Sequence, residues 1–308
     1  MKIEFPFFYR GWQKCVKISN QSVDIIATTD IGPRIIFFGF CGDRNEFVEF
    51  EETIGKKGGD QWHNYGGHRI WYAPEHPNRT YYPDNDEVHF EEHSSFIRLT
   101  QKTEPESKIQ KEIDIMLDDK SSRVKVIHRI YNRSLWSLEL APWALSVMAP
   151  GGIAIAPLPA RKPHPEALLP VNSISLWAYT NMSDPRWTWG HELIMLEQRT
   201  DISTPQKVGI FSLDGWVAYA NSGHLFVKAF EPEIDYLHPD FNSNIELFTN
   251  LKMLEMETLG ALVELEPETS IEYSEEWILF DKVDQPIDEE STKKDIVPMI
   301  KRIQNKDV

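Results

Sequence analysis

Short apolar runs, each cut off by a turn signal before it could grow into a helix, are the feature that most restricts this chain. KCVKIS, VDIIATT, RIIFFGF, FIRLTQK, KIQKEIDIML, RVKVIHRIYN, SISLWAYTN, KVGIFSL, WVAYA, HLFVKAF, NIELFTN, KMLEMETL and IEYSEEWILF are rich in Val, Ile, Phe, Trp and Tyr. Between them stand TDIGPR, FCGDRNE, LDDKSS, NSG and EPETS. β-Branched and aromatic side chains fit a pleated surface, and clusters of Gly, Pro, Asn and Asp interrupt it. Many short strands at close spacing predict an all-β antiparallel sandwich or barrel. Strands and helices do not alternate, which argues against a parallel doubly wound sheet or a TIM barrel, and no fixed period marks a propeller or solenoid.

With 308 residues the chain can form one large all-β domain or two ordinary ones. The strand pattern runs to about Phe280, so residues 1–280 are expected to form the sandwich and 281–308 a tail. DKVDQPIDEE reads as an acidic connector. In STKKDIVPMIKRIQNK, Ile296, Ile300 and Ile303 share roughly one helical face, provided that Pro298 falls in the first turn. The proline-rich stretch from Ala156 to Pro170 cannot be a central strand and is expected as an extended loop.

The formal net charge of −16 opposes a phosphate-backbone partner and an anionic membrane surface, so neither nucleic acid nor membrane is expected as a partner. Only Cys15 and Cys41 occur, too few for a disulfide framework. The opening MKIEFPFFYRGWQK lacks the apolar run of a signal peptide, and no stretch is apolar for long enough to span a bilayer. A cytoplasmic protein with free thiols is the expectation.

Three constellations could carry chemistry. The first is DQWHNYGGHRIWYAPE, where glycines at 66 and 67 permit a close backbone approach and His63, His68, Arg69, Trp71 and Glu75 crowd around them. In an extended chain His68 faces one side while Arg69 and Trp71 face the other, so one set or the other looks into a site. The bland alternative is a histidine and an arginine that satisfy buried backbone groups beside a turn. The second is NIELFTNLKMLEMETLG, where Glu246 precedes a strand with Glu255 and Glu257 at period two and Leu254 and Met256 on the other face. On a flat sheet these are solvated charges; on a concave one they are a candidate base and acceptors for sugar hydroxyls. The third is SDPRWTWGHE, where Asp184, Arg186 and Trp187 form either a stacking platform for a pyranose ring or an Arg–Asp turn pinned by tryptophans.

His63, His68, His76 and His93 lie in one region, but no spacing matches a zinc pattern, so no metal is expected. GxSxG, Walker A and GxGxxG motifs are absent from the sequence.

Taken in order, NQSVDIIATTDIGPRIIFFGF, YGGHRIWYAPE, YNRSLWSLELAPWALSVMAPGG, SDPRW and the Glu255 segment resemble the galactose mutarotase-like superfamily, in a branch similar to aldose epimerases. The resemblance covers nearly the whole chain to about Phe280. It implies an antiparallel β-supersandwich that binds a free small-molecule carbohydrate across a concave sheet, with no cofactor. Arg69 of GHRI matches the arginine of the family's ANRI motif, with His68 in place of the asparagine. Glu255 of MLEMET is similar in place to the catalytic base, and His68 is the remaining imidazole for the acid role. Where the family carries its acid histidine, this chain has LAPWALSVM, with Pro142 and Trp143.

The expectation is therefore an aldose 1-epimerase-like mutarotase, with Glu255 and His68 catalytic. Arg69, Trp71, Glu75, His63, Asp184, Arg186, Trp187, Glu246 and Glu257 would then bind the sugar. Two alternatives stay open: a non-catalytic sugar-binding domain, and a glycoside hydrolase or lyase using paired carboxylates. The oligomeric state and the sugar are left undetermined.

Overall fold

The computed structural model describes residues 1–304. Five strands of one sheet open the chain: β1 (Lys2–Tyr9), β2 (Trp12–Ser19), β3 (Val23–Thr28), β4 (Arg34–Phe40) and β5 (Gly67–Ala73). Four strands of a second sheet follow: β6 (His89–Glu92), β7 (Ile97–Thr100), β8 (Ile109–Leu117) and β9 (Val124–Asn132). The chain then crosses between the layers through β10 (Leu138–Met148), β11 (Ile153–Pro157), β12 (Ile174–Leu176), β13 (Trp187–Trp189) and β14 (Leu193–Glu197). It continues with β15 (Gln206–Ile210), β16 (Trp216–Asn221), β17 (His224–Phe230) and a helical turn, α1 (Pro239–Asn242). Strands β18 (Ile245–Thr249), β19 (Leu254–Leu259), β20 (Val263–Leu265) and β21 (Ser270–Phe280) precede helices α2 (Glu289–Asp295) and α3 (Val297–Gln304).

The first sheet has 11 strands in the order β1-β2-β3-β4-β5-β10-β19-β18-β15-β12, with β20 paired to β10; the second has 10, in the order β13-β14-β11-β16-β17-β21-β9-β8-β7-β6. Their pairings are antiparallel, as the sequence predicts. Period-two alternation explains which side chains meet. Ile70, Ala144, Leu247, Leu254 and Met256 of the first sheet pack into one core with Val126, Ile130, Phe226 and Trp277 of the second. Burying each large member contributes about 1.5–3 kcal/mol. The intervening residues Arg69, Trp71, Trp143, Phe248, Glu255 and Glu257 therefore point to the outer face of the first sheet.

The paired glycines at the start of β5 have a steric cause. Gly66 and Gly67 have φ of +70° and +69°, and an added Cβ would lie 2.1 Å from the Val48 carbonyl oxygen and 2.2 Å from that of Ile35. No L side chain fits either place.

The tail departs from the single helix that periodicity suggests. Helix α2 starts at Glu289, inside the expected connector, because Asp288 caps it and exchanges hydrogen bonds with Ser291 in a capping box. The helix then breaks at Ile296, since Pro298 has no N–H to give a continuous helix and is accepted only in the first turn of α3. Ile296 and Ile300 are buried against Ile155, Met195, Trp216 and Val227 on the outer face of the second sheet. Asn305 and Lys306, expected in the same helix, lie outside the described residues. Among the described residues no helix is long and apolar enough to cross a membrane.

Candidate functional site

With the tail helices on the second sheet, the outer face of the first stays open at its centre. There β5, β10, β19, β18 and β15 present Arg69, Trp71, Trp143, Glu255, Glu257, Phe248 and Lys207 to a cavity of about 240 Å³. Connecting segments add Trp62, Asn64, Glu75, Tyr81, Tyr179, Asn250 and Met253. The Arg69 guanidinium lies 4.2 Å from the Trp71 ring centre and 5.7 Å from that of Trp62. Trp143 meets Trp71 edge-on at 5.3 Å, so three indoles form one wall.

Three ion pairs, made by two cations, sit in this wall. Arg69 Nη2 donates to Glu255 Oε1 at 3.2 Å. Lys207 Nζ lies 2.7 Å from Glu246 and 3.0 Å from Glu257, whose Oε2 also accepts from Trp143 Nε1 at 2.8 Å. Burial raises the Glu255 pKa above the ordinary carboxylate range; Arg69 opposes the shift and Glu257 adds to it. Burial raises Glu246 much further, against the pull of Lys207. On Lys207 burial works against the charge, yet the two carboxylates prevail and hold its pKa well above the usual value.

Several buried atoms here lack a hydrogen-bond partner among the described residues: Arg69 Nε and Nη1, Trp62 Nε1 and Glu257 Oε1. Unpaired buried polar groups are costly, so this wall holds more hydrogen-bonding capacity than its own side chains use. Tyr81 and Tyr179 add phenols kept protonated by burial, with Tyr179 pushed up to about 12.

Among the expected residues, the structure brings Arg69, Trp71, Glu75, Glu255 and Glu257 together in this cavity. Glu75 is exposed at its edge and accepts a hydrogen bond from Tyr81. Glu246 is fully buried behind Lys207. The others lie elsewhere. His63 is half-buried and packs against Tyr65 with ring centres 5.9 Å apart. Asp184 binds Arg186 through two hydrogen bonds of 2.9 Å, Arg186 also donates to the Thr204 carbonyl, and Trp187 stacks on Trp189 at 4.9 Å. That group closes a turn at the edge of the second sheet.

His68 is displaced from its expected acid role by the alternation of β5, which turns it into the space between the sheets at 0% exposure. It forms a trio with His128 and Glu275, with ligating atoms within 4.8 Å of one another. Bonding within the trio is complete. His128 Nδ1 donates to the Tyr273 carbonyl at 3.0 Å, which leaves the lone pair on Nε2. His68 Nε2 therefore carries the proton between the rings, at 2.7 Å, and its Nδ1 accepts from Ser146 at 2.9 Å. Glu275 is taken by Lys228 at 2.9 Å, by Trp277 at 2.8 Å and by Thr258. An ammonium already balances the carboxylate, so the cluster acts as a tie between sheets rather than as a cation site.

Sequence reading overlooked Trp62, Tyr81, Tyr179 and Lys207. Lys207 had a usable signal: a lysine inside the apolar strand KVGIF, on the face opposite Val208 and Ile210. Tyr81 and Tyr179 arrive on loops, where no periodicity announces them.

No protein-family model and no curated protein matches the sequence. Solved structures do match in fold. A galactose mutarotase-like protein from Lactobacillus casei superposes with a TM-score of 0.58 at 11% identity, over 86% of this chain and 100% of its own. A galactose mutarotase related enzyme from Lactobacillus acidophilus gives 0.56 at 10% identity, over 88% and 99%. A Klebsiella pneumoniae protein proposed to be an aldose 1-epimerase gives 0.60 at 13% identity, over 99% and 88%. Two antiparallel sheets, a covered outer face on one and a ligand-sized cavity on the other thus make this chain a β-sandwich of the galactose mutarotase-like fold.

Proposed function

We propose that the cavity on the first sheet binds a free sugar ring and that Glu255 is the general base for its anomerisation. The observation that carries this reading is the set of unpartnered buried atoms on Arg69, Trp62 and Glu257, set in a wall of three tryptophans. A pyranose offers apolar C–H faces for indoles and hydroxyls that both donate and accept. Neighbouring solved proteins described as mutarotase-like support the same class of ligand.

In the reaction Glu255 takes the proton from the anomeric hydroxyl. The freed electron pair forms the carbonyl, the bond from the anomeric carbon to the ring oxygen breaks, and the ring oxygen takes up a proton. Rotation and reclosure then give the other anomer. His68 does not line the cavity, so the proton donors available there are Tyr81, Tyr179 and Lys207. The lack of an imidazole among the lining residues also favours a second reading, a sugar-binding pocket without catalysis. Glu255 and Glu257 stand side by side on one strand face instead of facing each other across a bond, which weighs against a glycosidase.

Two-dimensional exchange NMR on the anomeric protons of a panel of free aldoses tests the proposal. Accelerated exchange between anomers is the expected result. Saturation transfer without exchange would support the binding-only reading, and no transfer to any aldose would reject the sugar site.

A further inference from the structure

We infer that the same face holds a second sugar subsite, so that the preferred ligand carries at least two rings; this rests on the first cavity being a sugar site. A second cavity of about 300 Å³, lined by Phe50, Glu52, Thr53 and Lys252, adjoins the first. Asn64, Asn250 and Met253 line both, so the two are chambers of one groove. Tyr81 forms another side of the first chamber. Tyr81 packs edge-on against Trp62 and Trp71, each with ring centres 5.2 Å apart, and its hydroxyl is tied to Glu75. A ligand longer than one ring that runs past the two asparagines enters the second cavity directly.

The junction is equipped for that passage. Asn64 Oδ1 is held by the Gly66 N–H at 3.0 Å, which fixes the amide, while its Nδ2 reaches only the Met253 sulfur at 3.4 Å, a weak acceptor. Asn250 Oδ1 accepts from the Lys252 N–H at 2.8 Å, leaving its –NH2 group without a partner among the described residues. Two amide donors thus flank the place where one ring would join the next. Beyond them Phe50 and Met253, 9% and 8% exposed, give an apolar floor. Glu52 and Lys252, paired at 2.6 Å, give an exposed polar rim. An apolar floor with a polar rim repeats the design of the first chamber and suits a second pyranose.

The test is a saturation-transfer NMR titration of the whole chain with glucose and galactose against maltose, cellobiose, lactose and gentiobiose. At least one disaccharide should bind tenfold or more tightly than either monosaccharide. Lys252→Trp, at an exposed position that fills the second chamber, should bring that ratio close to one. Phe50→Leu, which keeps an apolar floor but removes the aromatic face, should lower it in part. If monosaccharides bind and every disaccharide binds no better, the second subsite is wrong and the first stands. If neither class binds, both readings fall.

Discussion

Arg69 and Glu255 meet over the top of a strand that belongs to neither. Their guanidinium and carboxylate are 3.2 Å apart, although β10 separates β5 from β19. Register explains the reach: Leu145 of β10 pairs with Arg69 on one side and with Glu257 on the other, while Val147 pairs with Glu255. The ion pair is thus a diagonal above Leu145. It fixes one carboxylate oxygen and leaves Arg69 Nε and Nη1 buried without a partner among the described residues.

Glu255→Gln should abolish anomer exchange, by a factor of ~100 or more, because an amide cannot accept the anomeric proton. Glutamine still offers Arg69 an oxygen in the same place, so the melting temperature should move by only a few degrees, on the order of 1 kcal/mol. Exchange NMR and a thermal melt on the same sample check both parts, and a wild-type rate would remove Glu255 as the base.

Lys207→Met should be among the most destabilising changes in the site. It leaves Glu246 and Glu257, both at 0% exposure, facing each other without their shared cation. Breaking a buried pair in this way costs about 3–5 kcal/mol. Urea denaturation measures it, and adding Glu246→Gln should restore part of the loss by removing one of the stranded charges. A double variant no more stable than Lys207→Met alone would show that charge is not the cause.

How much of this was legible beforehand depends on which kind of order each residue obeys. Strand periodicity is local, so the two faces of β5 and β19 could be read from GHRIW and LEMET: Arg69 with Trp71, and Glu255 with Glu257. Periodicity names two faces without saying which one is covered. By pattern alone His68 is therefore as eligible as Arg69; what separates them is the second sheet, packed over His68 through His128 and Trp277. SDPRWTW failed for a different reason, since an arginine beside two tryptophans serves a buried turn as well as a ligand. Tyr81 and Tyr179 were invisible, because only the paths of long loops bring them to the sheet.

The buried imidazoles should make stability depend on pH. Burial depresses the pKa of both His68 and His128 below 6.5; the other imidazole and the Lys228 ammonium depress His68 further, and Glu275 partly opposes the shift on His128. Below pH 6.5 the unfolded chain takes up protons that the folded chain refuses, so the stability is present above that value and is lost as pH falls toward the depressed pKa. Each proton is worth about 1.4 kcal/mol per pH unit. Glu246 and Glu255, with raised pKa, have the opposite sign: their contribution is complete below 4.5 and is lost as pH rises. Comparing the wild type with His128→Gln by urea denaturation between pH 5 and 7.5 separates the two, since the variant should lose one proton's worth of slope. Identical slopes would show that His128 is not neutral in the folded state.

The last prediction concerns how Arg69 tunes the base. A general base works only when ionised, so the exchange rate should rise with pH along a limb set by Glu255. Burial places that limb above 4.5, and Arg69 is the main influence holding it down. Removing the cation while keeping a hydrogen-bond donor, as in Arg69→Gln, should therefore move the limb to higher pH. Along the limb the variant should be slower because less of its carboxylate is ionised at a given pH; well above the limb much of the deficit should vanish, leaving only what weaker substrate binding removes. A change that merely damaged the pocket would lower the rate by the same factor at every pH. Exchange NMR from pH 4 to 8 distinguishes these outcomes, and a limb at the same pH in both proteins would mean that Arg69 grips the ligand without tuning Glu255.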